Sequence, residues 1–387
     1  MEDGSSRLTE DGALATARES SQLDDFGSDD SFRIGLRIFI EALEAMDPPP
    51  ELREAARPHI NKLLTDRLHW VADETASPEI LEIPVERPVI VIGMPRTGTT
   101  VLYDYLACDP VARAPLYWEA GDVWPAPEIA TYDTDPRIAT AQASIDALLA
   151  GAPEIAQMLP LGATLPAECN RIMPYHFYGP ELGTFYGVPQ HSAWVANEKP
   201  PGLYQTHKRV LQQMAWKGPR GRWTLKSPVH LYNLDALVDA YPDACLVWTH
   251  RDLANVFTSL VDLIAAARRV MGHDTDRRAL GAELLELFGA ALDRGMAARS
   301  DPRIAERILD LPFRDTVNNP ISVVRQVHDR FDLPFTADHE AAIHRFIADH
   351  PKGEHRYRPS DCGYEPDTFT SRFPEYYERY GYLLASP

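Results

Sequence analysis

The stretch Val89-Ile90-Val91-Ile92-Gly93-Met94-Pro95-Arg96-Thr97-Gly98-Thr99-Thr100 constrains this chain more than any other. Four β-branched residues read as a buried strand, and G-x-x-x-x-G reads as a turn into a helix from about Thr99 to Ala107. A strand apolar on both faces and followed at once by a helix belongs to a parallel α/β sheet. A Gly-rich turn placed there aims several backbone N–H groups at one point, where the helix dipole also favours an anion. An anionic ligand is therefore expected at this strand's carboxyl end.

Later segments repeat the alternation. "RWTLKSP" reads as a strand ending at Lys226, with a helix from about Leu231 to Tyr241. "ACLVWTHR" reads as a third buried strand ending at Arg251, with a helix from about Leu253, and "RILDLPF" as a fourth. The expected fold class is α/β, a three-layer parallel sheet of P-loop nucleoside-phosphate-binding type, with helical N-terminal and insertion segments added. Residues 1–30, rich in Ser, Asp, Glu and Gly, read as a disordered acidic tail. Residues 31–85 read as an N-terminal helical segment and 86–387 as the main domain. Within it, residues 125–220 form a Pro-rich insertion with many aromatics.

Bulk properties exclude several classes. The net charge is −19, with 57 acidic against 38 basic residues, so no global field would draw nucleic acid. No apolar run approaches the roughly 20 residues that span a bilayer. The acidic N-terminus lacks the apolar core of a secretory signal. Cys108, Cys169, Cys245 and Cys362 are scattered, which reads as a reduced, cytoplasmic chain without structural zinc.

The loop departs from the G-x-x-x-x-G-K-[ST] of triphosphate enzymes, because Thr99 stands where the lysine belongs and Arg96 lies inside the turn. A triphosphate needs that lysine and a magnesium ion. A nucleotide whose one 5′-phosphate carries a sulfuryl group needs less, and its transfer requires no bridging metal. "PRTGTT" fits the pattern P-[KR]-[ST]-G-T-T, and here the chain resembles sulfotransferases that use 3′-phosphoadenosine 5′-phosphosulfate (PAPS). The arginine version is similar to the tyrosylprotein and bacterial branches. The resemblance implies that Arg96, Thr97, Gly98, Thr99 and Thr100 bind the 5′-phosphosulfate and that no metal is required.

A second stretch, "VWTHRDLANVFTSL", supports it. The family's 3′-phosphate element is a strand-end Arg with a Ser eight residues on, and Arg251 and Ser259 have that spacing. A guanidinium at a strand end and a hydroxyl two turns into the next helix can clamp one phosphate; a salt bridge from Arg251 to Asp252 is the plain alternative. The resemblance also gives Lys226 the bridging oxygen of the leaving phosphate, with Ser227 assisting. For the base that takes the acceptor's proton it offers Glu119, with Glu168 and His230 as competitors. Lys352, Gly353, His355 and Arg356 resemble the late basic segment that closes over the nucleotide. "HRDL" at 250–253 copies the opening of a kinase catalytic loop, but Phe257 stands where that loop needs Asn.

The resemblance covers about Pro88–Leu260. It implies a sulfotransferase acting on a hydroxyl of a small acceptor, which the aromatics of 125–220 suggest to be hydrophobic unless they are simply core. A homo-oligomer stays open. Rival readings are a P-loop kinase-like enzyme and a non-catalytic nucleotide-binding module.

Overall fold

The computed structural model describes residues 7–158, 160–270, 275–350 and 359–384. The chain divides into two units. One comprises Met1–Val85, Trp118–Ile138 and Cys169–Arg220, and the other Glu86–Tyr117, Ala139–Glu168 and Gly221–Pro387.

The first unit is helical. It begins with α1 (Glu10–Ser21), α2 (Phe32–Ala45) and α3 (Pro50–Ala76). The tail expected to be disordered over 1–30 thus contains a helix. Thr9 caps it by accepting from the Gly12 N–H, and the helix buries Leu14 and Ala17. Leu8 is also buried, and its N–H donates to Glu44 at 2.9 Å, so a few well-spaced apolar groups outweigh an acidic composition. The apolar face of α2 explains why residues 169–220 join this unit. The Phe39 ring meets Tyr186 and His191 edge-on at 5.5 and 5.4 Å. A Cβ at Gly35 would stand 2.6 Å from the Phe177 carbonyl oxygen, so only glycine allows that approach.

The second unit carries the sheet. Its five strands are β1 (Val89–Gly93), β2 (Ala112–Arg113), β3 (Arg222–Lys226), β4 (Cys245–His250) and β5 (Ile308–Pro312), all parallel, in the order β2-β3-β1-β4-β5. The two-residue β2 is too short to show in a hydrophobic pattern. Both β1 and β4 are buried along their whole length. Val89, Val91, Cys245 and Val247 share one core cluster with Leu102 and Leu106 of α4 (Thr99–Ala107) and with Val323, Val324 and Val327.

This order positions the site. From β1 the chain runs to β2 and β3 on one side and then crosses to β4 and β5 on the other, so the crevice beyond the carboxyl end of β1 is a switch point. Registers Val91↔Lys226 and Gly93↔Thr249 bring the ends of β3 and β4 beside the loop after β1.

Candidate active site

The loop after β1 is shaped by three residues with positive φ: Gly93 at 132°, Arg96 at 68° and Gly98 at 88°. Glycine is required at the first and last. A Cβ on Gly93 would stand 2.8 Å from the Thr249 carbonyl oxygen, and one on Gly98 would stand 2.9 Å from Cδ2 of Phe313. Arg96 adopts the left-handed region without that excuse, a strained conformation that surrounding contacts must hold. Thr97 supplies some of them: its Oγ1 donates to the Met94 carbonyl at 2.6 Å and lies 2.7 Å from Thr249 Oγ1. Gly98 then caps α4, directing that helix's N-terminus into the loop.

The structure joins the loop to the second motif. Arg96 Nε donates to Ser259 Oγ at 2.9 Å, and Arg251 Nη1 donates to the Arg96 carbonyl at 3.0 Å. Ser259 is buried two turns into the helix Leu253–Val270. The Arg251 guanidinium lies over the Phe313 ring at 4.1 Å. Asp252, offered as the plain salt-bridge partner of Arg251, caps that helix by accepting from the Ala254 N–H and also accepts from the Tyr377 hydroxyl. His250 of the kinase-like "HRDL" is structural: its Nε2 lies 2.8 Å from Asp310, which also pairs with Arg299.

At the end of β3, Lys226 is buried and its Nζ donates to Thr100 Oγ1 at 3.0 Å and to the Glu168 carboxylate. Glu168, about a third exposed, is held by its neighbours in sequence. Tyr103 donates to the Ala167 carbonyl at 2.9 Å, and the Ala167 N–H donates to Pro115 O at 2.7 Å. Beside them, burial and the Glu168 charge push the Asp104 carboxyl up to about 8, with Lys226 opposing. Asp104 thus keeps its proton at neutral pH. Ser227 accepts from the Val229 N–H, which makes it the cap of the turn Pro228–Asn233, where His230 is fully buried.

Glu119 lies in the first unit, fully buried, with the Tyr132 hydroxyl donating to it at 3.0 Å. Trp118 packs on Tyr132, and the Arg137 guanidinium lies over the Trp118 ring. Lys352, Gly353, His355 and Arg356 lie outside the described residues. Of the aromatics in 125–220 that suggested an apolar acceptor, Tyr175, Phe177, Tyr178, Tyr186 and Tyr204 are buried and serve as core of the first unit.

Sequence reasoning missed Thr249, Phe313, Tyr103 and Asp104. Phe313 directly follows a strand's carboxyl end, which is a usable signal. The other three reveal their roles only through contacts.

A sulfotransferase family model matches residues 88–337. Among solved structures, the chain is similar to sulfotransferase STF9 from Mycobacterium avium, with 28% identity, 98% of each chain covered and a TM-score of 0.83. It is also similar to sulfotransferase STF1 from Mycobacterium tuberculosis H37Rv, with 26% identity, 95% of this chain and 99% of that one covered, and a TM-score of 0.80. No curated protein sequence matches the chain. Among the described residues, no helix is long and apolar enough to cross a membrane.

Proposed function

The chain belongs to the sulfotransferase family, and we propose that it moves a sulfuryl group from PAPS to a hydroxyl of a small acceptor by in-line displacement. The observation that carries this reading is the contact of Arg96 with Ser259 and Arg251, which links the 5′ loop to the 3′-phosphate motif. One nucleotide bearing phosphate at both ends is the ligand that such a linked pair of anion sites suits.

The roles follow from position. The α4 N-terminus and residues Thr97–Thr100 hold the 5′-phosphosulfate, with Arg96 beside the sulfuryl oxygens. Arg251 and Ser259 clamp the 3′-phosphate. The acceptor oxygen attacks sulfur while the sulfur–oxygen bond to the 5′-phosphate breaks, and Lys226 neutralises the charge that develops on that departing oxygen. The acceptor's proton goes to a nearby general base. Glu168 is the candidate that favours this reading most, because it touches Lys226 and Lys226 touches the loop. Glu119 and His230 are the alternatives, separated by the kcat of the Gln variant at each position. An apolar acceptor and a cytoplasmic location remain part of the proposal.

Calorimetry tests the donor site. Adenosine 3′,5′-bisphosphate should bind without added metal, and Arg251→Ala should weaken it. Magnesium-dependent ATP binding in its place would favour the kinase-like reading.

A further inference from the structure

We propose that Asp109, His328 and His339 form a binding site for a divalent cation of the zinc class, separate from the sulfuryl-transfer site. The three come from different places in the sheet-bearing unit: the turn after α4, the last turn of the helix Pro320–Arg330 and the first turn of the helix Ala337–Asp349. One ligand atom of each lies within 4.8 Å of the others, and all three residues are buried.

Hydrogen bonding decides which ring nitrogens are left for a ligand. His328 Nδ1 lies 2.9 Å from the Pro334 carbonyl oxygen, and His339 Nε2 lies 2.8 Å from that of Tyr105. A carbonyl oxygen only accepts, so each of these nitrogens carries its ring's proton. In the neutral rings, Nε2 of His328 and Nδ1 of His339 are then lone pairs. Nδ1 of His339 is buried without a hydrogen-bond partner. A buried acceptor in that condition is unfavourable unless a donor or a cation meets it.

Asp109 brings the negative charge. Its Oδ1 accepts from the Val111 N–H at 3.2 Å and its Oδ2 from Arg222 at 3.0 Å, which fixes the carboxylate and leaves each oxygen a further lone pair. Metal sites have this outer arrangement: carbonyls orient the imidazoles, and donors hold the carboxylate. Ligand atoms of a tetrahedral zinc centre stand about 3.3 Å apart, given bonds of about 2.0–2.1 Å, so a bound cation would draw this set together. Two imidazoles and one carboxylate suit zinc better than magnesium or calcium, which prefer oxygen shells. The fourth position falls to water. The Phe335 ring packs 5.4 and 5.2 Å from the two imidazoles and covers them with an apolar surface. Bound here, a cation would tie the C-terminal end of α4 to two later helices, steadying the helix whose other end opens the donor loop.

The test uses the full-length, untagged protein after chelator treatment. Calorimetric titration with zinc chloride should give one equivalent per chain, and zinc should raise Tm. His328→Gln and His339→Gln should each weaken binding at least tenfold and abolish the Tm shift, while the control His344→Gln, at an exposed position, should do neither. X-ray absorption of the zinc-loaded protein should show two imidazole ligands, a measurement that stands even if a glutamine variant folds poorly. Failure of the wild type to bind zinc overturns the proposal. Stoichiometric binding that survives in both glutamine variants overturns it as well.

Discussion

Arg96 Nε donates to Ser259 Oγ at 2.9 Å, although the two residues are 163 positions apart. Two short motifs, each weak evidence alone, thereby become one surface at the carboxyl ends of β1 and β4. Arg251 completes it by donating to the Arg96 carbonyl. If this surface grips a 3′-phosphate, Arg251→Ala should raise Kd for adenosine 3′,5′-bisphosphate about 10- to 100-fold, the equivalent of one or two charge-assisted hydrogen bonds. Ser259→Ala should have a smaller effect in the same direction. Calorimetric Kd values that stay within twofold of wild type would remove both residues from the donor site.

Lys226 should matter for turnover more than for binding. Lys226→Met keeps the buried stem and removes the charge, and is expected to lower kcat about 10²- to 10³-fold while donor Kd changes little. An equal loss in both would mean that Lys226 holds the ground state instead.

The base is separable by paired variants. Glu168→Gln should cut kcat about 10²- to 10⁴-fold with donor binding retained, and Glu119→Gln and His230→Gln should cost much less. Reversal of that order would assign the base to the group whose loss is most severe.

Much of the local geometry around the candidate site was legible in the sequence, and the reasons are local. β1 and β4 are strands whose every residue is buried, so their patterns are unambiguous, and the Gly93–Gly98 spacing follows from a turn geometry that only glycine satisfies at its ends. The Arg251–Ser259 spacing is legible because a strand end and two helical turns fix it. What escaped was written in contacts across long separations. Thr249 matters because it meets Thr97, and Tyr103 because it holds Ala167. In α1, Leu14 and Ala17 carry the packing, too few apolar groups for composition to register. Asp109 lies far in sequence from His328 and His339, and the three meet only because the end of α4 converges with two later helices.

Gly98 tests the loop's geometry. Its φ of +88° and the nearness of Phe313 predict that Gly98→Ala distorts the turn and abolishes donor binding. Adding Phe313→Ala removes the clash but not the backbone strain, so the double variant should recover little. Full recovery in calorimetry would show that space, not φ, demands glycine.

Asp104 should make stability depend on pH. An unfolded Asp titrates near 3.8, whereas burial and Glu168 push the folded group up to about 8. The fold favours the protonated form, so its contribution is complete below about pH 4 and is lost as pH rises to about 8, by at most about 1.4 kcal/mol per unit. Asp104→Asn holds no such proton. Its stability relative to wild type, from denaturant unfolding at pH 5 to 8, should therefore improve steadily with pH. Parallel curves would contradict the shift.

Sulfuryl transfer itself can be measured directly. The protein should be incubated with PAPS radiolabelled in the sulfuryl group and a panel of alcohols and phenols, with sulfated product and released bisphosphate both quantified. Acceptor-dependent label transfer, matched one to one by bisphosphate and lost in Lys226→Met, is the predicted result. Donor binding with no acceptor-dependent release across the panel would contradict it and leave a nucleotide-binding module.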